Sequence, residues 1–92
     1  MADITSKKID EDIAYCLGGA GSIGSELGRQ LCVTKTVVVI DTNETALFDL
    51  VEELRQKGRN VKGHMGDIRD YQQLEDCVRK FGIPVSIFQC AA

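Results

Sequence analysis

The chain has 92 residues, 43% of them apolar and 27% charged, which is the balance of one small globular domain. Its net charge of -3 and lack of a basic cluster argue against nucleic acid as a partner, because phosphate backbones require clustered lysine and arginine. No apolar run approaches the roughly 20 residues of a membrane span, and residues 1–12 are too polar for a signal peptide, so we expect a cytoplasmic protein.

Four cysteines are present, and none of them pairs at C-x-x-C spacing. They are Cys16, Cys32, Cys77 and Cys90, and each lies among apolar residues. We expect reduced, buried thiols that pack as small hydrophobic groups. A metal site would need closely spaced ligand pairs, and His64 is the sole histidine of the sequence, so no metal is expected.

The first half of the chain begins with a polar segment and then becomes regular. Residues 1–11 are predicted to form a flexible or loosely docked tail, and residues 12–92 the domain. The apolar run 13–17 stops at Gly18, which is typical of a strand buried on both faces. Residues 22–33 follow with apolar side chains at four-residue spacing, which predicts a helix.

The rest of the chain repeats this alternation. Strands are predicted at 36–40, 61–65 and 85–90, and helices at 43–57 and 70–81, each helix with an apolar stripe. The order β-α-β-α-β-α-β predicts an α/β domain with a parallel sheet and right-handed crossovers. We find no internal repeat and no second domain.

Capping residues mark the ends of the second and third helices. Thr42 or Asn43 can cap the start of the second helix, and Gly58 can end it. Asp70 and Gln73 have the spacing of a capping box at the start of the third.

A glycine-rich loop joins the first strand to the first helix. It contains G-x-G-x-x-G at Gly19, Gly21 and Gly24, and G-x-x-G-x-x-G at Gly18, Gly21 and Gly24. An early glycine permits the sharp turn, the middle one leaves room for a pyrophosphate, and the last allows close packing of helix on strand. The helix N-terminus would then attract the phosphates. The alternative is a glycine turn that only packs the helix on the sheet.

Asp41 ends the second strand, about 20 residues beyond the glycines, where dinucleotide-binding folds carry an acidic residue. Its carboxylate can accept hydrogen bonds from the adenosine ribose and would repel a 2′-phosphate. Since Thr42, Asn43 and Glu44 supply no positive charge, the sequence favours NAD, with NADP less favoured. The alternative is an acid that only stabilises a helix N-terminus.

Asp67 and Ile68 follow the third strand at the same edge of the predicted sheet. They could meet an adenine ring there, although a simple turn with an N-terminal acid is the alternative. His64 has no visible partner in the sequence, and we expect it to serve packing or the surface.

These residues together resemble the extended short-chain dehydrogenases/reductases. The similarity is carried by LGGAGSIGSEL at 17–27, by Asp41 and by GDIRD at 66–70, and it extends over about 13–92. The chain is most similar to nucleotide-sugar epimerases and 4,6-dehydratases of the polysaccharide-biosynthesis type. The resemblance implies half of a three-layer Rossmann-like domain with strand order 3-2-1-4.

The resemblance also implies roles for individual residues. The residues that would hold the pyrophosphate are Gly18, Gly21, Ser22, Ile23 and Gly24. Asp41 would bind the ribose, and Asp67 and Ile68 would flank the adenine. The implied partner is a dinucleotide.

The chain departs from the family pattern at several positions. Leu17 stands where threonine is common, and Gln89 where histidine is common. The family uses a Tyr-x-x-x-Lys pair for catalysis, but Tyr15 and Tyr71 are followed four residues later by glycine and glutamate. We therefore expect a truncated domain without the catalytic pair or the substrate domain, inactive on its own.

Three interpretations remain open at this point. The chain is the nucleotide-binding portion of a larger sugar-nucleotide enzyme, a stand-alone dinucleotide-binding module, or an interaction domain that has lost binding. In the implied strand order the fourth strand lies at an edge with apolar residues Val85, Ile87 and Phe88, which predicts a homodimer through this edge.

Overall fold

The computed structural model describes residues 8–18, 20–67 and 69–90, which form an alternating series of strands and helices. The strands are β1 (Ile9–Leu17), β2 (Thr36–Asp41), β3 (Val61–Met65) and β4 (Ile83–Gln89), and the helices are α1 (Ser22–Leu31), α2 (Glu44–Gln56) and α3 (Tyr71–Phe81). All neighbouring strands run parallel, in the order β3-β2-β1-β4. The predicted α/β class, the element order and the sheet order are confirmed.

Helices cover both faces of the sheet, because the central strands carry apolar side chains on both sides. In β2, Val37 and Val39 belong to a buried cluster with α1 and α2, while Val38 and Ile40 belong to a second cluster with Cys77 of α3. The α2 residues in the first cluster are Leu47, Leu50, Val51 and Leu54. The result is a three-layer Rossmann-like arrangement.

Strand β1 begins earlier than the sequence predicted. It starts at Ile9 rather than Ile13, so residues 9–11, assigned to the tail, lie in the strand. Their side chains are exposed and show no apolar pattern. They belong to the strand because the backbone of Ile9 and Asp10 pairs with Ile83 and Pro84 of β4. The seven residues before Lys8 lie outside the described part of the chain.

Two other element boundaries differ from the prediction by two residues. Helix α1 ends at Leu31 instead of residue 33, because the chain turns at residues 32–35. Strand β4 runs from Ile83 to Gln89 and includes Pro84, which the sequence placed ahead of the strand. A proline is tolerated there because β4 is an edge strand and one row of its N–H groups needs no partner strand.

The N-cap residues of α2 and α3 and the glycine after α2 are those that the sequence pattern predicts. Of the two residues proposed for α2, Asn43 is the cap, and its side-chain oxygen accepts a hydrogen bond from the Ala46 N–H at 3.1 Å. The Asp70 carboxylate caps α3 by accepting from the Gln72 N–H at 3.0 Å. Gly58 follows α2 with φ of 76°, a left-handed conformation that favours glycine.

The cysteines are all free thiols. Cys16, Cys32 and Cys77 are buried in the core, whereas Cys90 is half-buried. Among the described residues, no group of three or more potential ligands is placed to hold a metal ion. Within the same residues, none of the helices combines the length and the apolar character that crossing a membrane requires.

Candidate functional site

A cleft of about 610 Å³ opens at the carboxyl edge of the sheet, where ligands of open α/β folds bind. Segments that follow all four strands contribute to it. Its lining residues are Gly18, Gly21, Ser22, Ile23, Asp41, Thr42, Gly66, Asp67, Arg69, Gln89 and Cys90. Six of the eight residues that the sequence proposed for a dinucleotide therefore line one cleft. Gly24 is buried in α1 behind it, and Ile68 lies outside the described residues.

The turn from β1 into α1 depends on Gly18. This residue has φ of 71°, which favours glycine, and its N–H donates to the Ile40 carbonyl of β2 at 2.7 Å. The chain is thereby redirected immediately after the strand, so that α1 begins at the cleft.

Gly21 lacks a side chain for a different reason. Its backbone is extended, with φ of -74° and ψ of 177°, a conformation open to any residue. Within the part of the chain that the structure describes, a Cβ added there would meet only the Gly18 carbonyl oxygen, at the ordinary contact distance of 3.7 Å. Neither packing nor conformation requires glycine at this exposed position of the cleft. The absence of a side chain leaves the backbone of this segment open to the cleft.

The N-terminus of α1 offers hydrogen-bond donors to the cleft. Gly21 is the N-cap and supplies no side-chain cap, and the Ser25 N–H makes the first helical bond, to the Gly21 carbonyl at 2.8 Å. The N–H groups of Ser22, Ile23 and Gly24 precede that bond and are left over by helix geometry. The first turn carries no acidic residue, so the helix dipole is not neutralised there. This end of α1 is suited to an anion such as a pyrophosphate.

Asp41 stands at the end of β2 and organises the loops around it. Its Oδ2 accepts a hydrogen bond from the Ala20 N–H at 3.0 Å, and its Oδ1 accepts from the Asn43 N–H at 2.9 Å. A carboxylate has about four lone-pair positions, so roughly two remain for a ligand in the cleft. A purely structural acid would make the same two backbone bonds.

Asp67 is paired with Arg69 at the far side of the cleft. The Arg69 Nη2 lies 2.8 Å from Asp67 Oδ2, and Nε and the backbone N–H of Arg69 both donate to Oδ1. Hydrogen bonds from Arg69 lower the pKa of the Asp67 carboxyl to about 2, so it is ionised at neutral pH. The Arg69 side chain is itself 86% exposed.

Arg69 was not identified as a site residue from the sequence, although it is the cation among the described lining residues. Residues 42–44, which follow Asp41 in the sequence, carry no positive charge. Arg69 follows the next strand along the chain, and the parallel sheet brings both strand ends to one edge. Its position two residues after Asp67 was the available signal.

A second residue missed by the sequence is Gln73. The predicted capping box would send its side chain back to the N–H of Asp70. Instead, Gln73 Oε1 accepts a hydrogen bond from the Asp67 N–H at 2.8 Å, and Nε2 donates to the Asp70 carboxylate at 3.3 Å. The N–H of Gly66 donates to the Asp41 carbonyl at 3.0 Å, so both residues after β3 are hydrogen-bonded through their backbones.

His64 lies outside the cleft, half-buried in β3, with its ring edge-on to Phe81 at a centroid distance of 6.4 Å. This contact fits the packing role expected for it.

Comparison with known proteins identifies the family. The family model described as polysaccharide biosynthesis protein matches residues 15–92. An uncharacterized membrane protein of Methanocaldococcus jannaschii is 38% identical over 77 residues, which cover 82% of this chain and 22% of that protein. The chain thus spans about a fifth of this relative.

Solved structures give the same fold. An actinorhodin polyketide ketoreductase solved with NADPH superposes with a TM-score of 0.79 at 25% identity, over 100% of this chain and 35% of the other. Pen from Bacillus thuringiensis gives 0.75 at 30% identity, over 91% of this chain and 25% of that one. A short chain dehydrogenase from Bacillus anthracis, at 19% identity and a TM-score of 0.75, supports the fold alone. The chain belongs to the polysaccharide biosynthesis protein family and has the Rossmann-like fold of short-chain oxidoreductases.

Proposed function

We propose that this chain binds NAD and serves as the dinucleotide-binding portion of a protein that modifies nucleotide sugars by dehydration or epimerisation. The observation that carries the proposal is Gly21, which lacks a side chain where neither packing nor backbone conformation requires it. The free N–H groups at the start of α1 lie beside it and suit a pyrophosphate. Family membership supports nucleotide sugars as the substrate class.

Asp41 supports a preference for NAD over NADP. Its carboxylate keeps lone pairs for the two ribose hydroxyls, and its negative charge opposes a 2′-phosphate. Arg69 is the cation at hand, but its guanidinium is held by two hydrogen bonds to Asp67. Moving it to a phosphate would leave the Asp67 carboxylate without its partner.

The adenine ring is assigned to the segment after β3. Asp67 Oδ1 already accepts two hydrogen bonds from Arg69, whereas Oδ2 accepts one. The second lone pair of Oδ2 suits the 6-amino group of adenine, which is a donor. Ile68 lies outside the described residues and is assigned to the adenine on the resemblance alone.

We assign no catalytic role to the tyrosines of this chain. The Tyr15 hydroxyl is buried and donates to the Gly82 carbonyl at 2.5 Å, with the Cys77 carbonyl at 3.1 Å. Tyr71, 76% exposed on α3, does not line the cleft. Without the Tyr-x-x-x-Lys pair that the resemblance implies as the acid/base, the proton-transfer contribution of about 10²- to 10⁴-fold in rate would be missing. We therefore expect no epimerised or dehydrated sugar when the chain is incubated with NAD and a UDP-hexose.

Calorimetric titration with NAD tests the binding proposal. The wild-type chain should bind, and Gly21→Val should bind at least about tenfold more weakly because its side chain fills the phosphate position. Gly28→Ala is the control, since Gly28 also belongs to α1 but lies outside the cleft and a Cβ there meets nothing within 4 Å. Equal affinities of wild type and Gly21→Val would refute the proposal.

Self-association through β4 is a further part of the proposal. β4 is the edge strand next to β1, and Val85 and Ile87 are 45% and 51% exposed on it. An exposed apolar edge favours strand pairing between two copies. Sedimentation should show a dimer that Ile87→Lys dissociates, while a wild-type monomer at high concentration would contradict the proposal.

The free cysteines fit a reducing compartment, which supports the cytoplasm as the location.

A further inference from the structure

The segment that follows β3 is held at two successive backbone positions. The Gly66 N–H donates to the Asp41 carbonyl at 3.0 Å, which continues the pairing of β3 with β2. The next N–H, that of Asp67, donates to Gln73 Oε1 at 2.8 Å. The first anchor belongs to the sheet, whereas the second is a side chain on the first turn of α3. Gln73 therefore connects α3 to Asp67, whose carboxylate lines the cleft.

Gly66 leaves room for the Gln73 side chain. It is buried, and its φ is not positive, so its backbone conformation does not explain the glycine. A Cβ at Gly66 would collide with Gln73 Oε1 and press on the His64 ring at 3.1 and 3.2 Å. Gly66 thus leaves the space that Gln73 occupies, and the two residues form one packing unit.

The orientation of the Gln73 amide is fixed from its other end. Its Nε2 donates to the Asp70 carboxylate at 3.3 Å, and the same carboxylate caps α3 through the Gln72 N–H. With Nε2 committed to Asp70, the oxygen is the atom directed at the Asp67 N–H. The amide assignment therefore follows from the hydrogen bonds on both sides.

We propose that Gln73 is a positioning residue that holds the Asp67 carboxylate in the orientation needed to recognise the amino group of adenine. This inference rests on the proposed dinucleotide site and extends it to a residue on α3. The Asp67 carboxylate is hydrogen-bonded to Arg69, whose side chain is exposed, so the position of this pair depends on how firmly the Asp67 backbone is fixed. If the backbone is already fixed, less conformational entropy is lost on binding, and the affinity is higher.

ADP and IDP are the probes that isolate this role. The adenine of ADP presents a 6-amino donor, whereas the hypoxanthine of IDP presents a 6-oxo acceptor that faces the carboxylate unfavourably. Wild type should prefer ADP by about tenfold, the size expected of one hydrogen bond to a charged group. Gln73→Met keeps the side-chain length but removes the acceptor, and it should bring the ratio of the two dissociation constants close to one.

Two further variants separate positioning from a general structural effect. Gln73→Glu retains an oxygen for the Asp67 N–H but loses the bond to the Asp70 carboxylate and is repelled by it, so it should recover only part of the ADP preference. Gln72→Met is the matched control, because Gln72 donates to Asp76 on the exposed face of α3 and does not line the cleft. Its ADP-to-IDP ratio should equal that of wild type. An unchanged ratio in Gln73→Met would overturn the inference.

Amide hydrogen exchange provides a readout without any ligand. The Asp67 N–H should be protected in wild type and Gln72→Met and should exchange faster in Gln73→Met. Equal protection in all three would overturn the inference even if ADP binds. If wild type binds neither ADP nor NAD, the proposed function fails and the adenine-facing role fails with it. Gly66→Ala should reduce the ADP preference as well, and the double variant with Gln73→Met should be no worse than the more affected single variant.

Discussion

Replacing Gly21 with serine should separate stability from binding. The extended backbone of Gly21 is that of an N-cap residue, and α1 has no side-chain cap. A serine hydroxyl there can accept a hydrogen bond from the second or third N–H of the helix, which contributes a few tenths of a kcal/mol over glycine. Removing a glycine also lowers the entropy of the unfolded chain, worth about 0.4–1 kcal/mol. Gly21→Ser should thus stabilise the fold by about 0.5–1 kcal/mol.

The same substitution should weaken NAD binding. The added side chain would lie in the space left for the phosphates, and its hydroxyl would occupy an N–H that those phosphates need. For a domain of this size the gain in stability corresponds to a rise in melting temperature of about 2–8 °C. Thermal unfolding and calorimetric titration of the same sample measure both effects. A variant that melts higher and still binds NAD like wild type would refute the assignment of the phosphate position.

Three further predictions concern charge, acid stability and thiol reactivity. Asp41→Asn should lower the preference for NAD over NADP, measured as the ratio of their dissociation constants, since the charge opposing a 2′-phosphate is removed; an unchanged ratio would contradict the role of Asp41. Hydrogen bonding to Arg29 lowers the pKa of Glu53 from 4.5 to about 2, so this pair stabilises the fold above pH 4.5 and the effect is lost as the pH falls towards 2. The gap in urea midpoint between wild type and Glu53→Gln should therefore close over that interval, and a gap constant with pH would argue against the pair. A thiol reagent should label Cys90 first and NAD should slow that labelling, whereas Cys16 is buried with its pKa raised to about 12 and should react only on unfolding; early labelling of Cys16 would contradict the core packing.

The alternation of strands and helices could be predicted because each element carries its own periodic signal. Three successive valines mark β2 as buried on both faces, and the α2 stripe has the spacing of a helix packed on one side. The start of β1 could not be predicted, because residues 9–12 are exposed and belong to the strand only through pairing near Ile83, more than 70 positions along the chain. The start of β4 could not be predicted either, because a proline is accepted within a strand only where that strand lies at the edge of the sheet.

The residues of the candidate site also divide into those that the sequence predicted and those that it did not. Spacing alone predicted Gly21 and Asp41, which both line the cleft, because the helix start and the strand end are local features, whereas the choice of Gly18 over Gly19 came from the resemblance. Arg69 and Gln73 were missed because their roles depend on side-chain directions. The spacing of Gln73 from Asp70 fits a capping box, yet its oxygen turns to Asp67 because Gly66 leaves room there.

The bond from the Ala20 N–H to Asp41 Oδ2 joins two parts of the cleft that a dinucleotide would contact with different groups. The carboxylate that would receive the ribose already holds the loop that would receive the phosphates. Fragments of the dinucleotide should therefore not behave as independent ligands: pyrophosphate alone and adenosine alone should bind with affinities that do not combine to give that of ADP. Substituting Asp41 should disturb the response to pyrophosphate even though pyrophosphate carries no ribose.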